Sequence, residues 1–266
     1  MARSIITLTT DFGYADHYVG VLKGVILSIN PDAQIVDVCH DLRPYDVLDG
    51  AFAIAQTYHY FPPRTIHLVV VDPGVGSTRR PILVSAGNHS FIAPDNGVLS
   101  LLYAREESVI VRHITASHYF LEPVSQTFHA RDIFAPIAAW VARQVEPEKF
   151  GDPIDDFARF QLPQAKRVND RLLKAIVLRT DRFGTLTTNL TPEDVPELFG
   201  ENPAAFKIVV GKKEVTKLAA SYEHEAPGEV FAILGSSGYL EISVNRGSAA
   251  SAVGVGKGAE VGVILG

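Results

Sequence analysis

The sequence predicts an α/β N-terminal domain with a mainly parallel sheet and an all-β antiparallel C-terminal domain. Over the first 71 residues, β-rich and helical periodicities alternate in a β-α-β-α-β order, which is typical of parallel strands covered by helices. After residue 171 the chain consists of short β-rich runs separated by glycines, with no long helical period. A stretch rich in proline and charge lies between them. The expected organisation is a domain over 1–150, a linker over 151–171 and a domain over 172–266.

The spacing of apolar residues predicts the elements of the first domain. Apolar residues three and four positions apart indicate a helix over 18–30, which Pro31 ends. A hairpin is expected where PILVSA and SFIAP flank GNH. The other predicted elements are strands at 4–10, 34–40 and 65–71 and helices at 46–61, 97–104 and 130–145.

Composition excludes several classes of protein. The formal net charge of -6 gives no basic footprint for nucleic acid. Cys39 is the single cysteine, so no intrachain disulfide can form, and a cytoplasmic location is expected. The N-terminal MARSIITLTTDFG predicts a first strand rather than a signal peptide. No apolar run approaches the ~20 residues that span a bilayer, so no membrane partner is expected.

Two aspartates directly follow predicted parallel strands. Asp11 and Asp72 come after the first and third strands, and open α/β sheets bind ligands at the carboxyl ends of their strands. A carboxylate at Asp11 can accept two hydrogen bonds from a diol. Asp72 lies in VVVDPGVGSTRRP, whose proline and glycines can fold the chain back and bring Arg79 close. A strand end with an ordinary Asp-Pro-Gly turn and a solvated basic edge is the simpler alternative.

Further polar clusters follow the same elements. Asp16 is either a ligand-binding acid or the N-cap of the helix from Tyr18. DVCHDLRPYD at 37–46 concentrates acids around His40, but it lacks the His-x-His or His-x3-His spacing of a metal site, so no metal is expected. His129 precedes a predicted helix and is either functional or a histidine near a helix start.

Two loops of the second domain offer binding groups. TDRFGTLTTN at 180–189 repeats the β-run, aspartate and Phe-Gly order of the first domain. GSSGYLEISVN at 235–245 offers open backbone amides that suit a carboxylate, or is a plain hairpin turn. Motifs for a nucleophilic serine, a phosphate-binding loop and a protein kinase are missing from the sequence.

Seven stretches of the chain carry a joint signal, and they are, in order, TDFGYADHYVGVLKGVI, VDVCHDLRPYDV, VVVDPGVGSTRRP, FIAPDNGVL, TFHARDIFAPIAAWV, TDRFGTLTTN and GSSGYLEISVN. Together they resemble one family: the S-adenosyl-L-methionine (SAM) hydroxide adenosyltransferases, or SAM hydrolases, which are related to fluorinases and chlorinases. The resemblance implies an α/β domain followed by an antiparallel β domain, and a homotrimer whose sites lie between one subunit's N-terminal domain and a neighbour's C-terminal domain. It also implies hydrolysis of SAM to adenosine and L-methionine, with no cofactor.

The resemblance places the family's Asp-Arg-His triad on Asp72, Arg79 and His129. Halogenating relatives have tyrosine in place of Asp72 and an insertion soon after the Thr-Arg segment, and both departures favour the hydrolases. The resemblance also implies that Asp11 grips the ribose diol. Thr185 departs from the asparagine frequent in the family, so recognition of the adenine edge is expected from Asn245 and nearby backbone. The full expected substrate-binding set is Asp11, Asp16, Tyr45, Asp181, Phe183, Asn189, Tyr222, Ser236 and Asn245.

In SAM the sulfonium sulfur is bonded to C5′ of the ribose. Cleavage of this C5′–S bond by water needs an oxygen nucleophile but no general acid, because methionine leaves as a neutral thioether. Asp72 can orient water or accept its proton, Arg79 can hold Asp72 ionised or stabilise hydroxide, and His129 can complete the network or carry the proton away. The sequence leaves open which of the three takes the proton. Two alternatives remain: a module that binds adenosine or SAM without turnover, and a halide-using SAM adenosyltransferase, which a carboxylate at position 72 disfavours.

Overall fold

A computed structural model describes residues 4–200 and 204–266 and divides the chain into two compact units that meet between Gln161 and Leu162. The strands of the N-terminal unit are β1 (Ile5–Thr10), β2 (Gln34–Cys39), β3 (Ile66–Val70), β4 (Pro81–Ala86), β5 (His89–Pro94), β6 (Val109–His113) and β7 (Pro153–Ile154). Its α-helices are α1 (Tyr18–Ile29), α2 (Val47–Thr57), α3 (Ser100–Tyr103) and α4 (Ala135–Ala142). Shorter turns are 3₁₀-helical at Tyr58–Tyr60, Ser117–Tyr119 and Pro147–Lys149 and π-helical at Ala130–Phe134.

The N-terminal sheet is mixed, which corrects the expectation of a mainly parallel sheet. Its strand order is β2-β1-β3-β5-β4-β6-β7, with parallel pairing from β2 to β5 and antiparallel pairing from β5 to β7. The direction reverses at the expected β4–β5 hairpin. Gly87 and Asn88 both have positive φ there, at 54° and 62°, as a two-residue type I′ turn requires.

Helices cover both faces of this sheet. Helices α1 and α4 share one core with Leu8 and Leu68, and α2 and α3 share the other with Val69 and Val71. Strand β3 is buried along its whole length because neighbouring residues alternate between these two cores. It therefore delivers the chain after Val71 from the middle of the sheet to its edge.

The predicted helix at 130–145 begins with a π-helical turn and becomes α-helical only at Ala135. Pro136 has no N–H to donate to the carbonyl of Asp132, four residues earlier. That carbonyl instead accepts a hydrogen bond from the N–H of Leu121 at 2.8 Å. The proline thus accounts for a local departure from α-helical geometry next to His129.

The C-terminal unit is built on one sheet with the order β12-β11-β16-β9-β10-β15-β14-β13, and β8 pairs with β9. All its pairings are antiparallel except that of β13 with β14. One face packs into a core with the short helix α5. Its elements are β8 (Lys166–Asn169), β9 (Leu172–Thr180), β10 (Leu186–Thr188), β11 (Phe206–Val210), β12 (Lys213–Val215), β13 (Leu218–Ala219), β14 (Val230–Leu234), β15 (Leu240–Val244), β16 (Glu260–Leu265) and α5 (Ala249–Val253).

The stretch expected to be a linker contains two short strands. Strand β7 extends the N-terminal sheet by pairing with β6, and β8 pairs with β9 in the C-terminal sheet. Within the two described ranges, no helix has the length and apolar character needed to cross a membrane.

Candidate active site

Asp11 and Asp72 lie at the same edge of the N-terminal sheet. Strands β1 and β3 are parallel neighbours, with Thr10 paired to Val70, so the residues that follow them emerge together. Burial raises the pKa of the Asp11 carboxyl, and the charge of nearby Asp72 raises it further, while a backbone hydrogen bond from Tyr45 opposes both. The two carboxylates are therefore close enough to influence each other.

Asp72 and Arg79 form a bidentate ion pair. The guanidinium Nε donates to Asp72 Oδ1 at 2.8 Å, and Nη2 donates to Oδ2. Only 5% of the Asp72 side chain and 8% of the Arg79 side chain are exposed, so the pair is largely removed from water, where its interaction is stronger than at the surface. The face of the Phe134 ring lies 5.1 Å from the Arg79 guanidinium carbon.

The loop between these residues folds back tightly under a neighbouring segment. The N–H of Val75 donates to the carbonyl of Asp72 at 3.3 Å, and the N–H of Ser77 donates to that of Gly74 at 3.1 Å. Gly76 has a φ of 79°, and a Cβ there would lie 2.3 Å from the carbonyl oxygen of Gln126. Only glycine fits this approach, which carries the chain from Asp72 round to Arg79.

His129 completes the cluster from the other side. Arg79 Nη2 lies 3.0 Å from His129 Nδ1, and a guanidinium can only donate. Nδ1 is therefore the acceptor, and the neutral ring carries its proton on Nε2. Burial lowers the pKa of His129, and the positive charge of Arg79 lowers it further. His129 lies at the start of the π-helical turn. The carboxylate of Asp132, which is buried in the same turn, accepts hydrogen bonds from the Arg131 side chain and the Ser125 N–H.

The neighbouring arginine has different partners. Arg80 donates to the Asp95 carboxylate from Nε at 3.0 Å and from Nη2 at 2.7 Å, and to Asp156 Oδ1 from Nη1 at 2.7 Å. Asp95 in turn accepts a hydrogen bond from the N–H of Ala158 at 2.7 Å. Arg80 therefore fastens residues 156–158 to the sheet, and of the two adjacent arginines Arg79 is the one that contacts Asp72.

A cleft of about 310 Å³ opens beside Asp72 and His129. Phe12, Tyr18 and Phe128 contribute to its walls and meet edge to face, with ring centroids 5.3 to 6.2 Å apart. The sequence interpretation did not single out these aromatic residues. Their places in the sequence could have predicted this, because Phe12 directly follows Asp11 and Phe128 directly precedes His129.

The other residues predicted to bind substrate in this unit are Tyr45 and Asp16. The N–H of Tyr45 donates to Asp11 Oδ2 at 2.8 Å, and Tyr45 has a φ of 65° with an exposed side chain. Asp16 is exposed, and the N-cap of α1 is His17, whose side chain makes no capping bond. The alternative of Asp16 as the cap is therefore wrong. His40 is buried among Thr10 and Asp37, and no group of three or more metal-binding side chains occurs in residues 4–200 and 204–266.

The C-terminal unit has its own cleft of about 570 Å³, which Asp181, Phe183, Thr185 and Tyr222 help to line. Asp181 Oδ1 accepts the backbone N–H groups of Phe183 at 2.9 Å and Thr185 at 2.8 Å, which fixes the loop after β9. Arg246, with a φ of 55°, also lines this cleft and was not anticipated.

Three expected residues of this unit lie outside that cleft lining. Ser236 is exposed in the turn between β14 and β15. Asn189 is buried, with Oδ1 accepting from the N–H of Ile176 at 2.8 Å and Nδ2 donating to the carbonyl of Pro163 at 2.7 Å. Both ends of its amide are thus hydrogen-bonded to backbone groups of the same unit, and its role in substrate binding stays a prediction. Asn245 donates from Nδ2 to the carbonyl of Glu225 at 2.6 Å.

Comparison with known proteins matches both units to one family. Residues 6–151 match the SAM hydroxide adenosyltransferase N-terminal domain, and residues 175–262 match the C-terminal domain. A protein named (R)-S-adenosyl-L-methionine hydrolase from Salinispora tropica is 33% identical, with 98% of each chain covered. A fluorinase from Nocardia brasiliensis is 27% identical, with 99% of this chain and 98% of the fluorinase covered. The crystal structure of an uncharacterized conserved protein from Thermotoga maritima is 34% identical and superposes with a TM-score of 0.89, covering 97% of this chain and 99% of the other.

Proposed function

Because the chain belongs to the SAM hydroxide adenosyltransferase family, we propose that it hydrolyses S-adenosyl-L-methionine to adenosine and L-methionine. The observation that carries this proposal is the buried contact of Asp72, Arg79 and His129 beside a cleft at the edge of the sheet. Water attacks C5′ of the ribose. The new C5′–O bond forms as the C5′–S bond breaks, and the electron pair of the broken bond neutralises the sulfonium.

The hydrogen bonds favour Asp72 as the group that accepts the proton of the water. Nδ1 of His129 already accepts from Arg79, and its Nε2 carries the ring proton, so the neutral imidazole is placed to donate rather than to accept. Among the described residues nothing accepts a hydrogen bond from the buried Nη1 of Arg79. His129 Nε2 and Arg79 Nη1 are therefore the donors we assign to the developing hydroxide.

The charges of the reactants explain why a closed pocket suits this chemistry. An oxygen carrying negative charge meets a cationic sulfonium, so charge is lost as the transition state forms. A cleft that excludes water disfavours the separated, hydrated charges more than this transition state. Holding the water in line with the C5′–S bond contributes further, by up to ~7–11 kcal/mol when the alignment is ideal. The leaving thioether needs no proton, and no metal or cofactor is part of the proposed reaction.

The binding roles follow the family resemblance. The contact of Tyr45 with Asp11 and the positions of Asp181, Phe183 and Tyr222 in the C-terminal cleft support them. In the N-terminal unit Asp11 takes the ribose diol, with Asp16 and Tyr45 beside it. In the C-terminal unit Asp181 faces the methionine amino group and Ser236 its carboxylate. Phe183 lines the site, Tyr222 stacks on the adenine, and Asn245 with the backbone nearby recognises the adenine edge. The homotrimer, with one subunit's N-terminal unit facing a neighbour's C-terminal unit, and a cytoplasmic location belong to the same proposal. A monomer by light scattering would contradict the shared site.

A halide-using transfer is the second candidate, because a fluorinase is among the similar proteins. The carboxylate of Asp72, which is 5% exposed, repels an anion placed next to it, so we favour water as the nucleophile. A module that binds SAM without turnover is the third candidate, and it would have no use for the buried Asp-Arg-His contact.

One product assay separates these functions. Purified protein is incubated with SAM in water labelled with heavy oxygen, with and without chloride or fluoride, and the nucleosides are identified by chromatography and mass spectrometry. We expect adenosine that carries the label in its 5′-hydroxyl, because water attacks C5′. A 5′-halogenated nucleoside would support the halide transferase instead, and intact SAM would support the binding module.

A further inference from the structure

A buried histidine next to the candidate site has no role in the proposed chemistry. His40 follows β2, is 1% exposed, and lies with its Nδ1 2.7 Å from Oγ1 of Thr10, the last residue of β1. Its Nε2 lies 3.2 Å from Asp37 Oδ1 in a contact too bent for a full hydrogen bond. Asp37 is itself held by Lys23 Nζ at 2.6 Å.

The direction of the hydrogen bonds in this array can be worked out. A carboxylate only accepts, so the ring nitrogen facing Asp37, Nε2, carries the proton of the neutral imidazole. Nδ1 is then an acceptor, and the Thr10 hydroxyl donates to it. Thr10 Oγ1 retains a lone pair, which accepts the N–H of Phe12 at 3.3 Å. The array therefore runs from the backbone of Phe12 through Thr10 and His40 to Asp37.

These contacts surround Asp11 in the chain. Thr10 precedes it and Phe12 follows it, and both are tied to His40 through the Thr10 hydroxyl. The N–H of Gly13 donates to the His40 carbonyl at 2.7 Å, and the Tyr14 hydroxyl donates to Asp37 Oδ2 at 3.1 Å. The segment on either side of Asp11 is thus fastened to the end of β2.

The carboxylate of Asp11 receives a further contact from the segment that His40 begins. Five residues after His40, the N–H of Tyr45 donates to Asp11 Oδ2 at 2.8 Å. His40 consequently fixes both the backbone that carries Asp11 and the start of the loop that binds its carboxylate. A diol that donates two hydrogen bonds needs the acceptor oxygens of the carboxylate at set positions, because a hydrogen bond weakens steeply as its donor–hydrogen–acceptor angle departs from linear.

We infer that the Thr10–His40–Asp37 array positions Asp11 to recognise a ribose diol, so that His40 and Thr10 determine the preference for ribonucleosides over deoxyribonucleosides. This inference rests on the proposed role of Asp11 in binding SAM, and it assigns to these residues a positioning role rather than contact with the substrate.

The same sheet supplies a matched control. Oγ1 of Thr7, also in β1, lies 2.7 Å from Nδ1 of His67, and both residues are 0% exposed. This second Thr–His pair has the same distance and comparable burial, but it lies three residues before Thr10 along β1, towards the opposite edge of the sheet. Thr10→Val and Thr7→Val each remove one hydroxyl at almost constant volume, so their costs in stability should be similar while their effects on diol recognition differ.

The test measures binding of adenosine, 2′-deoxyadenosine and 3′-deoxyadenosine to the full chain by calorimetry. We expect the wild-type protein to bind adenosine about tenfold or more tightly than either deoxynucleoside, the ratio that one hydrogen bond to a charged group gives. Thr10→Val should bring this ratio close to one, and Thr7→Val should leave it unchanged. With SAM as substrate, Thr10→Val should raise KM with a much smaller change in kcat, as loss of uniform binding does.

A second pair of variants keeps the test valid if Thr10→Val folds poorly. His40→Leu removes both polar contacts, whereas His40→Asn places an amide near the position of Nδ1 and should restore part of the discrimination. If both Thr10→Val and His40→Leu keep the wild-type ratio, or if Thr7→Val loses it equally, the inference is overturned. The proposed hydrolysis is judged separately by the labelled-water assay on the wild-type protein. Protein that discriminates between the nucleosides but leaves SAM intact would retain the positioning role and contradict the hydrolase.

Discussion

The N-terminal sheet has a buried threonine–histidine pair near the carboxyl ends of its parallel strands and another near their amino ends, and the two pairs have different neighbours. At the carboxyl ends of β1, β2 and β3, His40 lies among Asp37, Lys23 and the loop that carries Asp11. Towards the amino ends, Thr7 contacts His67, whose Nε2 lies 3.3 Å from His89 Nδ1.

At the amino edge, His67 is packed among aromatic rings and a second histidine. His67 stacks on Phe91, with ring centroids 4.9 Å apart, and Tyr58 packs edge to face against both histidines. Burial and, to a smaller extent, the neighbouring His89 lower the pKa of His67 to about 3. Buried, neutral His67 and its aromatic neighbours stabilise the fold, and the acidic side chain of Glu106 contacts this cluster through Tyr58. A cleft lined by His89 and Glu106 opens at the amino edge as well. The carboxyl edge differs because the buried Asp72–Arg79 ion pair contacts His129 beside its cleft, a grouping of charged and titratable groups that is typical of functional sites at the carboxyl ends of strands.

The largest expected effect is a loss of turnover at the carboxyl edge, where two adjacent arginines have different partners. Arg79→Lys replaces a bidentate fork by a point charge, so Asp72 and His129 lose their shared partner. We expect turnover to fall by about 10²–10³-fold, as on removal of one transition-state donor, with SAM still bound. The matched variant Arg80→Lys affects only the contacts with Asp95 and Asp156 and should keep turnover within a few-fold of wild type. Steady-state kinetics on both variants checks this, and equal losses would remove the distinction between the two arginines.

The second effect concerns the amino edge and depends on pH. The folded pKa of His67 is about 3, whereas an unfolded histidine titrates near 6.5, so below pH 6.5 the unfolded state binds a proton that the folded state does not. The stability contributed by neutral His67 is therefore complete above pH 6.5 and is lost as the pH falls. We expect the free energy of unfolding to drop by roughly 2 kcal/mol between pH 7 and pH 5 from this group.

Urea unfolding at a series of pH values measures this drop. His67→Gln keeps a polar group in the same place but cannot titrate, so its unfolding free energy should change less steeply with pH than that of the wild type. Parallel curves for the two proteins would show that the amino edge does not depend on a neutral His67.

The smallest effect removes a charge from the amino edge. The Tyr58 hydroxyl donates to Glu106, and burial together with this contact raises the pKa of Tyr58 to about 12. Glu106→Gln leaves a neutral acceptor in place, so we expect a loss of about 1 kcal/mol in the free energy of unfolding and no change in turnover. Thermal unfolding and the SAM assay test both parts. A clear fall in turnover at an unchanged melting temperature would break the division of roles between the edges.

Local patterns predicted some features well. Alternating periodicities predicted the first five elements, and Asp11 and Asp72 therefore had to emerge at one edge of the sheet. The hairpin was found from GNH, although its reversal of direction, which makes the sheet mixed, was not carried through to the fold class. Pro136 can be seen in the sequence, but the π-helical turn before it cannot be predicted from it. In that turn the carbonyl of Asp132 accepts a hydrogen bond from Leu121, eleven residues away, and the spacing of apolar residues gives no sign of this contact.

By itself, the sequence determined where the chemistry-bearing residues stand along the chain, because apolar spacing and turn residues act over a few positions. Only the tertiary structure decided how they are used, since hydrogen bonds and burial join residues far apart. It bonded the two ends of the Asn189 amide to the backbone of Ile176 and Pro163. It gave Arg79 rather than Arg80 to Asp72 and His129, and it fastened the residues on either side of Asp11 to His40. The Thr10–His40 and Thr7–His67 pairs thus have the same residue types but different roles, because the charges and solvent around them differ.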